Sequence, residues 1–467
     1  MNEKENKQET GKLSTKLKIA VLMALLTAIF CGLAYNVYAI IQSIIFDSEP
    51  SWELNAANAG DLLASMVILF AASGLIAGYY VDKIYKKAVA IIGGVICGIS
   101  SILAGLAPNW NLFFLAQVLI SFGNGIISPV IFSIISDITP PEKRSTNYGL
   151  FIFFGFFGGL MGGIIFFGFL IFNDWRTPYL ITGFIIISLS LSLLFVRLPK
   201  RGAKEHALED VLKEEQAEYD YVINFSDLKD IFKRKSNIIL ILNFADAMPG
   251  GVFLLAVLWL ADEHNLHNIA LAGSILILIL LVRFISPPIW GKVADSIYIK
   301  TKDDLVKIKI CIILIIAYTP IFIAAILTPW WAPDNATAAD LFATEGFILF
   351  LILFLIAYFI SSGTQPIWQS AISEINLPEH RATSYMLANF VDQVGMAIGA
   401  FIAGRLIVAF ESNGYTIAFI FAAIAGLINM FTWMIALRYY KDDKREIERI
   451  LSQRAEEIKK KAKLNSN

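Results

Sequence analysis

Charge is scarce in this sequence. Only 16% of its 467 residues are Asp, Glu, Lys or Arg, against about 25% in an ordinary soluble protein. That shortage excludes a soluble chain, which at this length would build two or three domains with charged surfaces. Cysteine is scarce too: Cys31, Cys97 and Cys311 each fall inside an apolar run and read as small core residues, not as a disulfide or metal set. The four histidines are scattered and no H-E-x-x-H occurs, which leaves no metal site and argues against an intramembrane zinc protease. A Walker-type G-x-x-x-x-G-K-[ST] is missing, against an ATP-driven pump. No nucleophile–base spacing suggests an enzyme and nothing calls for a cofactor. The net charge of -1 points to no nucleic-acid partner.

What the sequence has is apolar length. Hydrophobic residues make up 57% of it and the mean hydropathy is +0.65, gathered into runs of about 20 residues, enough to cross a bilayer core. Backbone polar groups in lipid must be satisfied internally, so these runs predict helices. The expectation is an all-α polytopic membrane protein of twelve spans in two pseudo-symmetric six-helix bundles. One set lies at 18–46, 59–81, 88–107, 111–136, 146–172 and 176–198, and the other at 238–260, 269–290, 307–328, 344–372, 383–409 and 414–437. The domains are then a tail (1–17), an N-terminal bundle (18–198), a linker (199–237), a C-terminal bundle (238–437) and a charged tail (438–467). The first run is too long for a signal peptide and reads as an uncleaved span. The linker predicts a helix around Glu205–Tyr219, and the tail from Lys441 reads as a solvated helix.

Lysine and arginine are retained on the cytoplasmic side. With both termini inside, all of the 38 Lys and Arg residues fall in cytoplasmic segments or at their edges except Arg176, Arg283 and Arg405. The external loops Phe46–Gly60 and Pro329–Gly346 contain neither residue type. Asn335-Ala336-Thr337 is a glycosylation sequon in an external loop, from which nothing further follows.

The two halves repeat each other. Gly78-Tyr-Tyr-Val-Asp82-Lys-Ile-Tyr-Lys-Lys87 and Gly291-Lys-Val-Ala-Asp295-Ser-Ile-Tyr-Ile-Lys300 both read G-x-x-x-D-x-I-Y-x-K. Pro129–Leu150 aligns without gaps to Pro366–Leu387 at an offset of 237, matching Pro141/Pro378, Glu142/Glu379, Arg144/Arg381 and Tyr148/Tyr385, with Asp137 facing Glu374. Parallel duplicated six-span halves are a transporter signature. Through these loops the sequence resembles the major facilitator superfamily along all twelve spans, with a flavour of its drug-antiporter-like and spinster-like branches. The resemblance implies that the loop aspartate faces the N-terminus of the eleventh helix across the halves and that the loop's basic residues pair with the acid ending the fourth helix. Asp82, Lys87 and Asp137 would form one latch, Asp295, Lys300 and Glu374 its counterpart, and Arg144 and Arg381 would join them, with Gly78 and Gly291 allowing close helix approach. Two family motifs depart from pattern: Gln117 stands where the fourth-span arginine is expected, and Leu160 where the antiporter proline is.

Charges deep within spans cost about 2.5–3.5 kcal/mol each and should face a cavity or one another. Asp246, Arg283 and Asp392 lie at similar depths in spans seven, eight and eleven. One carboxylate there could hold a proton, a sodium ion or a cationic group; a permanently satisfied ion pair is the structural alternative. Breaks are expected at Met248–Gly251, Gly125–Pro129 and Gly363–Pro366. Asn36, Gln42, Gln117, Asn124, Trp368, Gln369, Asn389 and Gln393 supply polar or aromatic cavity walls. The expected function is secondary transport of a small organic or amphipathic solute by alternating access, by a monomer in the lipid of the plasma membrane. The alternative is a non-transporting receptor or lipid-binding member.

Overall fold

The computed structural model of the chain describes residues 26, 50–52, 56–155, 157, 174–195, 198, 200–213, 217–253, 255–410 and 413–465, to which the following refers. Apart from Leu26, the expected first span lies outside them, as does the fifth beyond residue 157. Among the described residues every regular element is helical, and ten helical stretches are long and apolar enough to cross a membrane. The chain divides into two compact units: residues 1–138, 154–203 and 212–222, and residues 139–153, 204–211 and 223–467. Segments 139–153 and 204–211 thus cluster with the second unit, a division different from a single cut at the linker.

In the first unit, α1 (Ala56–Lys83), α2 (Lys86–Gly105), α3 (Trp110–Ile138) and α5 (Thr177–Ser192) are described, with α4 (144–155) between α3 and α5 in sequence. α2 meets α5 where Gly98 faces Gly183. A Cβ on either glycine would stand 2.6–2.9 Å from the other's carbonyl oxygen, so only glycine allows this approach. Pro129 sits inside a continuous α3 and does not interrupt it, contrary to the expected break. Close packing of α1 onto Gly125 braces that turn, and membrane helices tolerate the lost hydrogen bond. Arg176, the basic residue expected outside, donates from Nη1 to the carbonyls of Ala107 (2.7 Å) and Gly105 (3.3 Å), closing the C-terminus of α2.

The second unit contains α6 (Lys235–Ile241), α7 (Met248–Phe253), α8 (Ala256–Asp262), α9 (Ile269–Thr301), α10 (Val306–Leu327), α11 (Phe347–Ser361), α12 (Thr364–Glu374), α13 (Arg381–Phe410) and α14 (Gly414–Asn465). The seventh span is therefore three short helices, with a single 3-10 turn at Phe244–Asp246 between the first two. Pro249 lies in the first turn of α7, where its missing N–H costs nothing. The tenth span breaks at Ser362–Gly363, as expected. The N–H of Gly363 turns to Ile360, which frees the Phe359 carbonyl, and Ser286 and the Trp290 indole (3.0 Å) donate to it instead.

Two linker and tail expectations are corrected. Only Glu209–Leu212 of the expected linker helix is helical, and 214–216 lie outside the described residues. The Lys200 ammonium takes two carbonyls within that stretch, those of Ala217 (2.9 Å) and Leu212 (3.4 Å). The tail, in turn, continues the twelfth span as one 52-residue helix. Tyr440, Lys444, Ile447, Leu451, Ala455, Ile458 and Ala462 are buried at three- and four-residue spacing, so this extension is an amphipathic packed helix rather than a solvated one.

Candidate functional site

The unwound segment between α6 and α7 places Asp246 at a cavity of about 200 Å³ within the second unit. Arg283 reaches it from α9, Tyr318 from α10, Tyr358 from α11, Gln365 and Trp368 from α12, and Asp392 from α13. The expected cluster of Asp246, Arg283 and Asp392 therefore does share one cavity. Asp246 accepts a hydrogen bond from the Asn429 amide of α14. Among the described residues, Arg283 and Asp392 form no hydrogen bond, and no two of the three approach as an ion pair. The volume is below the ~300–1,000 Å³ typical of small-molecule pockets, room for an ion with water or for one end of a solute.

Other expected wall residues lie elsewhere. Gln369 is buried with its amide 3.5 Å from the Tyr385 hydroxyl, while Asn389 and Gln393 are half-buried on α13; none of the three lines this cavity. The α12 helix turns successive side chains by about 100°, which sends Trp368 to the cavity and Gln369 away. In the first unit, Gln117 donates to the Tyr179 hydroxyl at 2.5 Å and is fully buried, and Asn124 is half-buried. Asn36 and Gln42 lie outside the described residues. Sequence reasoning missed Tyr318 and Tyr358, phenols in otherwise apolar spans, while Gln365 falls in the Gly363–Pro366 break singled out from the sequence.

The repeat loops form buried charge clusters, with corrected partners. Lys86, not Lys87, pairs with Asp137, whose other oxygen accepts from the Gly202 N–H (2.9 Å). Lys86 opens α2 on its buried face, whereas Lys87, a step round the helix, donates to the Leu194 carbonyl (2.6 Å). Asp82 is fully buried in the same unit. In the second unit Lys307, not Lys300, pairs with Glu374, and donates further to Ser370 Oγ (2.7 Å) and the Pro141 carbonyl (2.9 Å). Lys300 is exposed near the end of α9. Both working lysines thus stand in the first turn of corresponding helices, α2 and α10, which the sequence reading took as the third and ninth spans. Lys444 of α14 adds a second cation 3.3 Å from Glu374. Asp295 accepts from the Thr146 N–H (2.7 Å) and hydroxyl (2.6 Å) at the N-terminus of α4, where a negative charge is stabilised. Gly291 packs on the Ser145 carbonyl beside it.

Arg144 and Arg381, related by the repeat and both fully buried, converge on Glu205 of the linker; Arg381 approaches to 2.6 Å. Burial pushes the Glu205 carboxyl up, but the two guanidiniums outweigh it and hold the group below the usual carboxylate range. Next to it, His206 lies 2.5 Å from Glu142; their hydrogen bond raises the imidazole and lowers the carboxyl. Nothing in the sequence distinguished Glu205 from the other linker acids.

These features have a family setting. The family model of the Major Facilitator Superfamily matches residues 19–347 and 336–465. The chain belongs to the Major Facilitator Superfamily. Within the superfamily it is 24% identical over 177 residues to the Quinolone resistance protein NorA of Staphylococcus aureus, covering 36% of this chain and 45% of that one. It is 27% identical over 196 residues to Multidrug resistance protein 2 of Bacillus subtilis, covering 40% and 48%. The match spans about half the length of these relatives. Among solved structures, the Escherichia coli fucose:proton symporter FucP aligns with a TM-score of 0.67 at 13% identity, over 91% of this chain and 99% of that one. The proton:xylose symporter XylE, bound to 6-bromo-6-deoxy-D-glucose, gives 0.62 at 14%, over 89% and 95%. At these identities the likeness is one of fold.

Proposed function

We propose that this superfamily member is a secondary active transporter. It moves a small organic or amphipathic solute across the plasma membrane by alternating access, with both termini cytoplasmic, coupled to a proton or sodium ion. The observation that carries the reading is the cavity holding Asp246, Arg283 and Asp392 with no ion pair among them. Each ionisable group inside a span costs about 2.5–3.5 kcal/mol, and a structural ion pair would offset that cost by contact. Here the two acids and one base stay apart around a cavity, an arrangement suited to exchanging a cation. The Tyr318, Tyr358 and Trp368 rings favour an amphipathic solute with positive charge.

The test is uptake by proteoliposomes of the full chain, under imposed proton or sodium gradients, with ethidium, norfloxacin, xylose and fucose as probes. Gradient-driven accumulation of a probe, collapsed by the matching ionophore, is expected. An absence of both accumulation and counterflow for every probe would return the chain to the receptor or lipid-binding alternative.

A further inference from the structure

α14 carries an amide into the neighbourhood of Asp246. Asn429 is 1% exposed and Asn243, at the unwound end of α6, is 4% exposed. Asn243 Nδ2 donates to Asn429 Oδ1 at 2.6 Å, and Asn429 Nδ2 donates to Asp246 Oδ1. Both donors therefore point toward the carboxylate, and the chain leaves Asn243 Oδ1 buried without a partner. That orphan is unusual, because buried polar atoms are nearly always paired.

We propose that Asn243 and Asn429 are positioning residues, a reversible hydrogen-bond relay that reports the charge of Asp246 to α14. With Asp246 ionised, the relay runs toward it as observed. With Asp246 protonated, its O–H donates to Asn429 Oδ1 once the Asn429 amide turns over, the Asn243 amide turns over with it, and Asn429 Nδ2 donates to Asn243 Oδ1. The orphaned atom is the acceptor that the second direction uses. The proposal rests on the coupling reading above and extends the coupling group to the twelfth span. The titratable groups facing Asp246 from the packed elements are Arg283 of α9, Cys311 and Tyr318 of α10 and Asp392 of α13.

A hydrogen bond to a carboxylate is about twice as strong as one between neutral groups, so the relay favours the ionised form. The test is labelling of the purified full chain by dicyclohexylcarbodiimide, which attacks protonated carboxyls, mapped by mass spectrometry across pH without any substrate. Asn429→Leu should label at Asp246 about tenfold faster at neutral pH, equivalent to a shift of about one pH unit. Asn243→Ala should shift it less, in the same direction, and serves if the first variant folds poorly. Labelling at Asp392 should not rise with it. Unchanged Asp246 labelling in both variants, with lowered melting temperatures, would make the amides merely structural and overturn the proposal. So would a parallel rise at Asp392, which would report only an opened cavity. Failure of the coupling reading looks different: Asp246→Asn would keep gradient-driven ethidium accumulation whatever the labelling shows.

Discussion

Single residues carry the strongest electrostatic commitments. One linker carboxylate, Glu205, serves two buried guanidiniums. Glu205→Gln should cost about 3–5 kcal/mol, as expected when a buried ion pair loses one member, visible as a lowered melting temperature. Its depressed pKa fixes the sign with pH: the stabilisation is full above the ordinary glutamate value, about 4.3, and is lost as pH falls through the folded value. His206 behaves oppositely. Its raised pKa gives a contribution that is full below about 6.5 and lost as pH rises through the folded value. The imidazole is largely exposed, so the effect is small; protection in 204–211, taken relative to the intrinsic hydroxide-catalysed exchange rate, should fall modestly on alkalinisation, and His206→Asn should remove that fall. In the cavity, Asp246→Asn or Asp392→Asn should abolish gradient-driven accumulation and spare part of counterflow exchange. Full accumulation in both variants would return the cluster to a structural role.

At the scale of elements, α14 departs most from its sequence reading. A solvated tail would exchange its amides within seconds. A packed extension, held by Lys444 on Glu374 and Asp304 and by Arg454 on Glu379 (2.5 Å), should protect residues 440–458 nearly as well as the span itself. Hydrogen exchange read by mass spectrometry decides between them. The α2–α5 contact makes a second prediction. Gly98→Val or Gly183→Val places methyl groups against a carbonyl and should destabilise by about 1–3 kcal/mol or more, read as a lowered melting temperature. Broken helices follow the same logic: α11 can end at Ser361 because Ser286 and Trp290 satisfy the carbonyl it frees.

For the molecule as a whole, the charge pattern predicts its orientation. Cysteines introduced into the Pro329–Gly346 loop should react with impermeant maleimides from outside intact cells, and those in 199–237 should not. With Cys31 replaced by serine the background is low, since Cys97 and Cys311 are buried. The reverse labelling would overturn the assignment.

The sequence by itself determined that this is a helical membrane protein with duplicated halves. Bilayer thickness sets the length of its apolar runs, and lipid leaves the backbone no alternative to the helix. It also found Asp246, Arg283 and Asp392, because buried charge is expensive enough to stand out in one dimension. Which lysine meets which acid was decided in three dimensions. Lys86 and Lys87 are equivalent as composition, and only the 100° step of the helix against α3 sends one to Asp137 and the other to Leu194. The same holds for Glu205 and Asn429. Each is one ordinary polar residue among many, and its partners lie 61 to 186 positions away in the chain, distances over which only packing brings groups together.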